Sequence, residues 1–156
     1  MKPADITAVA EYPRNVPLNI PQRLKPHGAL SMLLQDMPVI GGISRRRREI
    51  FRQLTQRNDA SLETWGQDKS KIHLVSELAS IIQEHMGWPN IYYIPEDPCE
   101  LLFCASTTGM QDVCALQAIS LRYALPDDTL GDVYDLLFVQ LVDRIFRSSG
   151  RPSGAR

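Results

Sequence analysis

Between residues 72 and 86 apolar side chains recur every three or four positions. Ile72, Val75, Ala79, Ile82 and Met86 form one stripe, and Leu74, Leu78, Ile81 and His85 an adjoining one. This period puts both stripes on one wide face of a helix. Gly87 follows as a left-handed terminator, and Trp88-Pro89 prevents continuation. The same period predicts a helix over 111–123, with Val113, Leu116, Ile119 and Tyr123 inward, broken by Leu125-Pro126-Asp127-Asp128. A last helix is predicted over 130–146, capped by Thr129, with Asp132 near the positive end of its dipole. Leu130, Tyr134, Leu137, Leu141 and Ile145 form its main seam. Phe138, Val139, Val142 and Phe146 extend the apolar arc to roughly half the circumference or more. That is wider than one core covers, so the cover is either 29–43 of the same chain or a second subunit.

Upstream, the pattern predicts a helix over 45–57, with Ser44 as N-cap and Ile50, Phe51 and Leu54 on one face. The polar stretch 60–70, holding Trp65 and Gly66, reads as a linker. Residues 91–94 (IYYI) are either an extended segment or one small strand. Asp97 as N-cap, Pro98 at the first helical position and Glu100 two residues on resemble a capping box, predicting a short helix through Phe103 or Cys104. Residues 106–109 read as a loop. A short amphipathic helix over 29–37 precedes a flexible apolar joint at 39–43, with Gly41-Gly42 as a hinge. Residues 1–28 hold five prolines and read as an extended arm. The fold class is thus mainly α: a small bundle of about four to five helices with a proline-rich N-terminal arm. Its divisions are 1–43 for arm and joint, 44–147 for a single helical domain, and 148–156 for a low-complexity tail.

Composition agrees with one globular core: 156 residues, 44% apolar and 22% charged. The charge is more telling. The total is −1, but residues 1–60 carry +5, residues 61–143 carry −10 and residues 144–156 carry +4. Such blocks create fields that a mixed surface does not. The basic flanks are expected to fold back on the acidic body, or to reach a second chain or a polyanion. No apolar run has membrane-spanning length, and the first 30 residues lack a signal-type stretch. Three cysteines form no disulfide framework, so a cytoplasmic location is expected.

Residues 72–146 show a family likeness. Residues 72–86 stand as a long first helix. The stretch 115–123 (ALQAISLRY), followed by Ala-Leu-Pro-Asp-Asp, stands as the end of a second helix and its acidic-Pro turn. Thr129-Leu130-Gly131-Asp132-Val133 stands as the start of a last helix. In this order, and in its acidic balance, the region resembles the acyl carrier protein family. That family attaches phosphopantetheine to a serine in an Asp-Ser-Leu triplet at the head of the second helix. Here the matching stretch is Thr108-Gly109-Met110-Gln111-Asp112, and Gly109 falls near the place of that serine. The resemblance therefore implies a carrier-like fold used for binding, without the prosthetic group.

The sharpest local chemistry is Arg45-Arg46-Arg47-Arg48, continued by Arg52 and Arg57. Arg45, Arg48 and Arg52 align on one face, at a helix end where cations oppose the dipole. An anion relieves that opposition: a phosphate backbone, an anionic membrane surface, an acidic protein patch, or the chain's own acidic body. Cys99, Cys104, Cys114, His27, His73 and His85 match no zinc spacing. Glu96, Asp97 and Glu100 are explained by capping, and Asp127, Asp128, Asp132 and Asp135 lack the alternation of a calcium loop. No catalytic, metal or cofactor site is assigned. The expectation is a non-catalytic adaptor binding a protein partner, with a homodimer as one form of that partnership. Its contact residues are Arg45, Arg46, Arg47, Arg48 and Arg52, with Phe138, Val139, Val142 and Phe146. Two alternatives stay open: a carrier protein with an atypical attachment site, and a nucleic-acid-binding protein using the basic helix 45–57.

Overall fold

The computed structural model describes residues 16–21, 42–105 and 109–149. It is mainly helical, a small bundle. The helices are α1 (Gly42–Thr55), α2 (Lys69–Met86), α3 (Cys99–Leu102), α4 (Gln111–Tyr123) and α5 (Phe138–Ser148). Two 3-10 helices, Asp59–Trp65 and Val133–Asp135, complete the described elements. Among the described residues no helix is long and apolar enough to cross a membrane. The expected helix at 29–37, the joint at 39–41, residues 106–108 of the expected loop and the tail beyond 149 lie outside the described residues.

Helix α2 is the axis, packing on α4, α5 and the first 3-10 helix. Both of its expected stripes face inward: Leu74, Val75, Leu78, Ala79, Ile82 and Met86 are buried. Asp68 opens it, its carboxylate accepting from Ser70 N and Lys71 N at 3.0 and 3.3 Å. Gly87 closes it at φ +69°; a Cβ there would have room, so conformation and not space calls for glycine. Ion pairs brace α2 to its neighbours, Arg122 to Glu77 at 2.5 Å and Lys71 to Asp143 at 2.7 Å.

Several sequence expectations are corrected. Helix α1 begins at Gly42, so Ser44 lies inside its first turn instead of capping it, and Gly42 is helical, not a hinge. Ile50 and Leu54 are fully buried, but Phe51, about a third of a turn away, is 44% exposed. The 60–70 linker is largely a 3-10 helix. Trp65 enters the core edge-on to Phe138, at 5.4 Å between ring centroids, and its indole N–H donates to Tyr93 O at 2.9 Å. Residues 91–94 form no strand; within them Tyr93 N donates back to Ile91 O at 2.9 Å, a three-residue turn.

The largest correction concerns the last helix. It starts at Phe138, not Leu130; residues 127–132 are turns and 133–135 a 3-10 helix. The reason lies in a long-range pairing. Leu136 and Leu137 are extended and pass beside 95–99. There Cys99 N donates to Leu136 O at 2.9 Å, Phe138 N to Asp97 O at 2.8 Å and Val139 N to Pro95 O at 2.9 Å. A helix through Leu136 would spend those groups on itself. Gln140 then accepts from Leu137 N at 2.8 Å, starting α5. Tyr134 and Leu137, expected in the buried seam, are exposed. Asp132 is not a helix-start acid; it pairs with Arg144, which also donates to Thr129 O.

Candidate functional site

The charge pattern points first to the arginine helix. Its inward face sets Ile50 and Leu54 into the core, so the flanking side chains lie against the acidic body. Arg47 reaches furthest in. It donates to Cys104 O at 2.8 Å and to Met86 O, and its guanidinium carbon stands 4.3 Å from the centroid of the Trp88 ring. One cation thus serves the carbonyl ends of α2 and of the turn after α3 while stacking on an indole. Burial lowers its pKa. Arg46 pairs with Glu100 at 3.1 Å, and Arg52 with Glu49 on its own helix at 2.6 Å. Arg45 and Arg48 are exposed. The separated charges therefore meet within one chain, and the five arginines do not act as one outward patch.

A second cluster has no motif to announce it. Arg57 and Asp97 form a two-pronged ion pair, 2.5 and 2.7 Å, with side chains 4% and 0% exposed. Asp97 is no helix cap: α3 starts after Pro98, with no side-chain cap bond. Its carboxylate also accepts from Ile94 N at 2.9 Å and Leu18 N at 3.0 Å. Arg57 donates onward to Tyr92 O at 3.1 Å and Val16 O at 2.9 Å. One turn back, Gln53 accepts from Asn19 N at 3.1 Å and donates to Asn19 O at 2.8 Å. Leu18 is 2% exposed in the core. The only part of the proline-rich arm described, 16–21, is thus laid across α1 and the 92–98 segment. No local sequence signal marks this pairing: Arg57 stands in the polar stretch Gln56-Arg57-Asn58-Asp59, and Asp97-Pro98 reads as a helix start.

The expected contact face of α5 is also revised. Phe138 and Val142 are fully buried within the one chain, while Val139 and Phe146 are half-buried and pack against the core. Phe138, Val139, Val142 and Phe146 all lie within the shorter helix, so its wide apolar arc remains. The bundle itself covers most of it.

The outward apolar face belongs to α4. Val113, expected inward, is 48% exposed; Ala115 takes the buried place beside Ile119 and Tyr123. Met110 at 61% and Leu121 at 75% exposure share its side, with Cys114 and Gln117 also exposed. Positions 110, 113, 114, 117 and 121 fall on one helical stripe. Acidic groups border it. Asp112 accepts from the Tyr134 hydroxyl at 2.6 Å at one end, and exposed Asp127 and Asp128 follow the other.

Among the described residues the reactive side chains do not converge. Among the described residues no three His, Cys, Asp or Glu gather as metal ligands. Burial pushes the Cys99 thiol up to about 12, helped by nearby Asp97, and burial also raises Cys104. Neither is an activated nucleophile. Two open hollows, about 390 Å³ beside Asp143, Arg144 and Arg147 and about 360 Å³ beside His73, Glu77 and Arg122, hold surface charges without a buried polar group. Gly109, near the place of the carrier serine, has φ +76°, where any L-residue is strained. No family model matches the chain, nor does any curated protein or solved structure.

Proposed function

We propose that this protein is a non-catalytic protein-binding or adaptor module, and that α4 is its contact element. The observation that carries this is the α4 stripe. Met110, Val113 and Leu121 are large apolar side chains left in solvent on one face of a well-packed helix. Scattered exposed apolar residues are ordinary, but an aligned set on one helix marks a contact surface. The stripe's acidic borders favour a partner with an apolar ridge and basic flanks. The arginine helix contributes in a different way from that expected, since Arg46 and Arg47 hold the bundle together while Arg45 and Arg48 face outward.

Affinity capture from the source cell with the unaltered chain and with Met110→Glu/Val113→Glu/Leu121→Glu tests this reading. The substitutions are on the surface, so helicity should be retained. A partner bound by the first and lost by the second supports the assignment. An identical set of captured proteins rules α4 out as the contact element. Light scattering on the same two proteins separates an unlike partner from a homodimer, which would persist in the purified unaltered chain and dissociate in the variant.

A further inference from the structure

We propose that the cleft between α1 and residues 92–98 is a receptor site for an extended, uncharged, proline-flanked segment of another protein, and that residues 16–21 fill it in cis. This surface is separate from α4 and does not depend on α4 being a contact element.

The bonding is that of a peptide on a receptor. Asp97 takes Leu18 N, Gln53 takes Asn19 N and gives to Asn19 O, and Arg57 gives to Val16 O. All four bonds run from bundle side chains to the segment's main chain, so the cleft reads an extended backbone. Selectivity comes from Leu18, buried in the core, while Val16, Pro17 and Asn19 face solvent. Pro17 and Pro21 bias Val16 and Ile20 toward extended geometry, which lowers the ordering cost. The segment Val-Pro-Leu-Asn-Ile-Pro carries no charge.

Each receptor group also has partners within the bundle. Asp97 accepts both Arg57 bonds and one from Ile94 N, Arg57 donates to Tyr92 O, and Gln53 donates to Glu49 at 2.9 Å. The segment is separated from α1 in sequence by residues 22–41. Because the segment belongs to the same chain, an incoming segment must compete with it. The occupant is inferred from the one ligand seen to fit: a central leucine on an extended backbone between prolines.

The probe is a fluorescein-labelled peptide of residues 14–23, titrated against the full chain by anisotropy. Leu18→Asp should expel the tethered segment, and that chain should bind the peptide at least about tenfold more tightly than the unaltered chain does, by removal of the competitor. Gln53→Ala added to Leu18→Asp should weaken binding, and a peptide carrying Leu18→Asp should not bind. A Leu18→Asp chain that is helical by circular dichroism yet binds no better than the unaltered one overturns the proposal. Should Leu18→Asp not fold, the unaltered chain is cut at a protease site inserted within 22–41 and mixed with isotopically heavy peptide. Native mass spectrometry showing exchange supports the site; a fragment that never exchanges overturns it. Unaltered chains that trade segments and form dimers at micromolar concentration make the occupant a second copy, and the foreign-partner proposal falls.

Discussion

Arg57 and Asp97, 40 positions apart, close on each other through two parallel N–H···O bonds of 2.5 and 2.7 Å in an almost fully buried setting. The pair's further hydrogen bonds go to main chain: Tyr92 O, Ile94 N, Val16 O and Leu18 N. The pair therefore fixes the end of α1, the 92–98 segment and the arm at a single point. Removing one partner strands the other charge. Arg57→Leu should cost about 3–5 kcal/mol in urea unfolding, and Arg57→Leu/Asp97→Leu less than the sum of the single changes. A single change costing under about 1 kcal/mol would remove the pair from the framework.

Arg47 is a second fixed point, through Trp88 and two carbonyls. Lysine keeps the charge but not the planar fork. Arg47→Lys should lose about 1–2 kcal/mol, whereas exposed Arg45→Ala should stay within about 0.5 kcal/mol. Equal losses at both positions would contradict the division of labour along the arginine run.

Tyr93 is fully buried between Phe138 and the ion pair, and its hydroxyl has no hydrogen-bond partner among the described residues. An unsatisfied buried hydroxyl is a cost. Tyr93→Phe should be neutral or stabilising by up to about 1 kcal/mol, measured by thermal or urea unfolding. A loss beyond about 1 kcal/mol would mean that the hydroxyl is bonded in solution.

Alkaline pH should loosen the fold. Burial and nearby Asp97 push Cys99 from 9.0 up to about 12, burial and the bond to Asp112 push Tyr134 from 10.0 up to about 12, and burial raises Tyr93 as well. Each group holds its proton more firmly folded than unfolded. The stability they contribute is complete below about pH 9, the unfolded value of the thiol, and is lost as pH rises toward about 12. Unfolding midpoints should fall across that window, and midpoints that stay level through it would contradict the burial of Cys99 and Tyr93. Alkylation at neutral pH should reach exposed Cys114 well before buried Cys99.

Local periodicity made much of this bundle legible. The inward stripes of α2 and its Gly87 terminator read directly from spacing, as did the bounds of α4. The start of α5 did not, because residues 130–137 have helical spacing, yet main-chain groups of 136–139 bond to 95–99, a pairing between stretches about 40 positions apart. Asp97 looks like a cap because Asp-Pro is a strong local signal; Arg57 outweighs it through two charge-assisted bonds. Val113 shows the limit of a narrow stripe: Ile119 and Tyr123 face inward as expected, but the buried row runs back from them through Ala115, and Val113 joins Met110 and Leu121 outside. Charge segregation is readable as composition, but its use is not, since only the fold sets Arg46 against Glu100 and Arg144 against Asp132.

The sharpest check on α4 as the contact element is site-specific photo-cross-linking in the source cell, with the reactive group at Gln117 in one protein and at Arg45 in another. Both positions are exposed, and neither supports the core. An α4 interface gives a discrete protein adduct from position 117 and none from position 45. An adduct from 45 alone would return the interface to the arginine helix and contradict the assignment of α4.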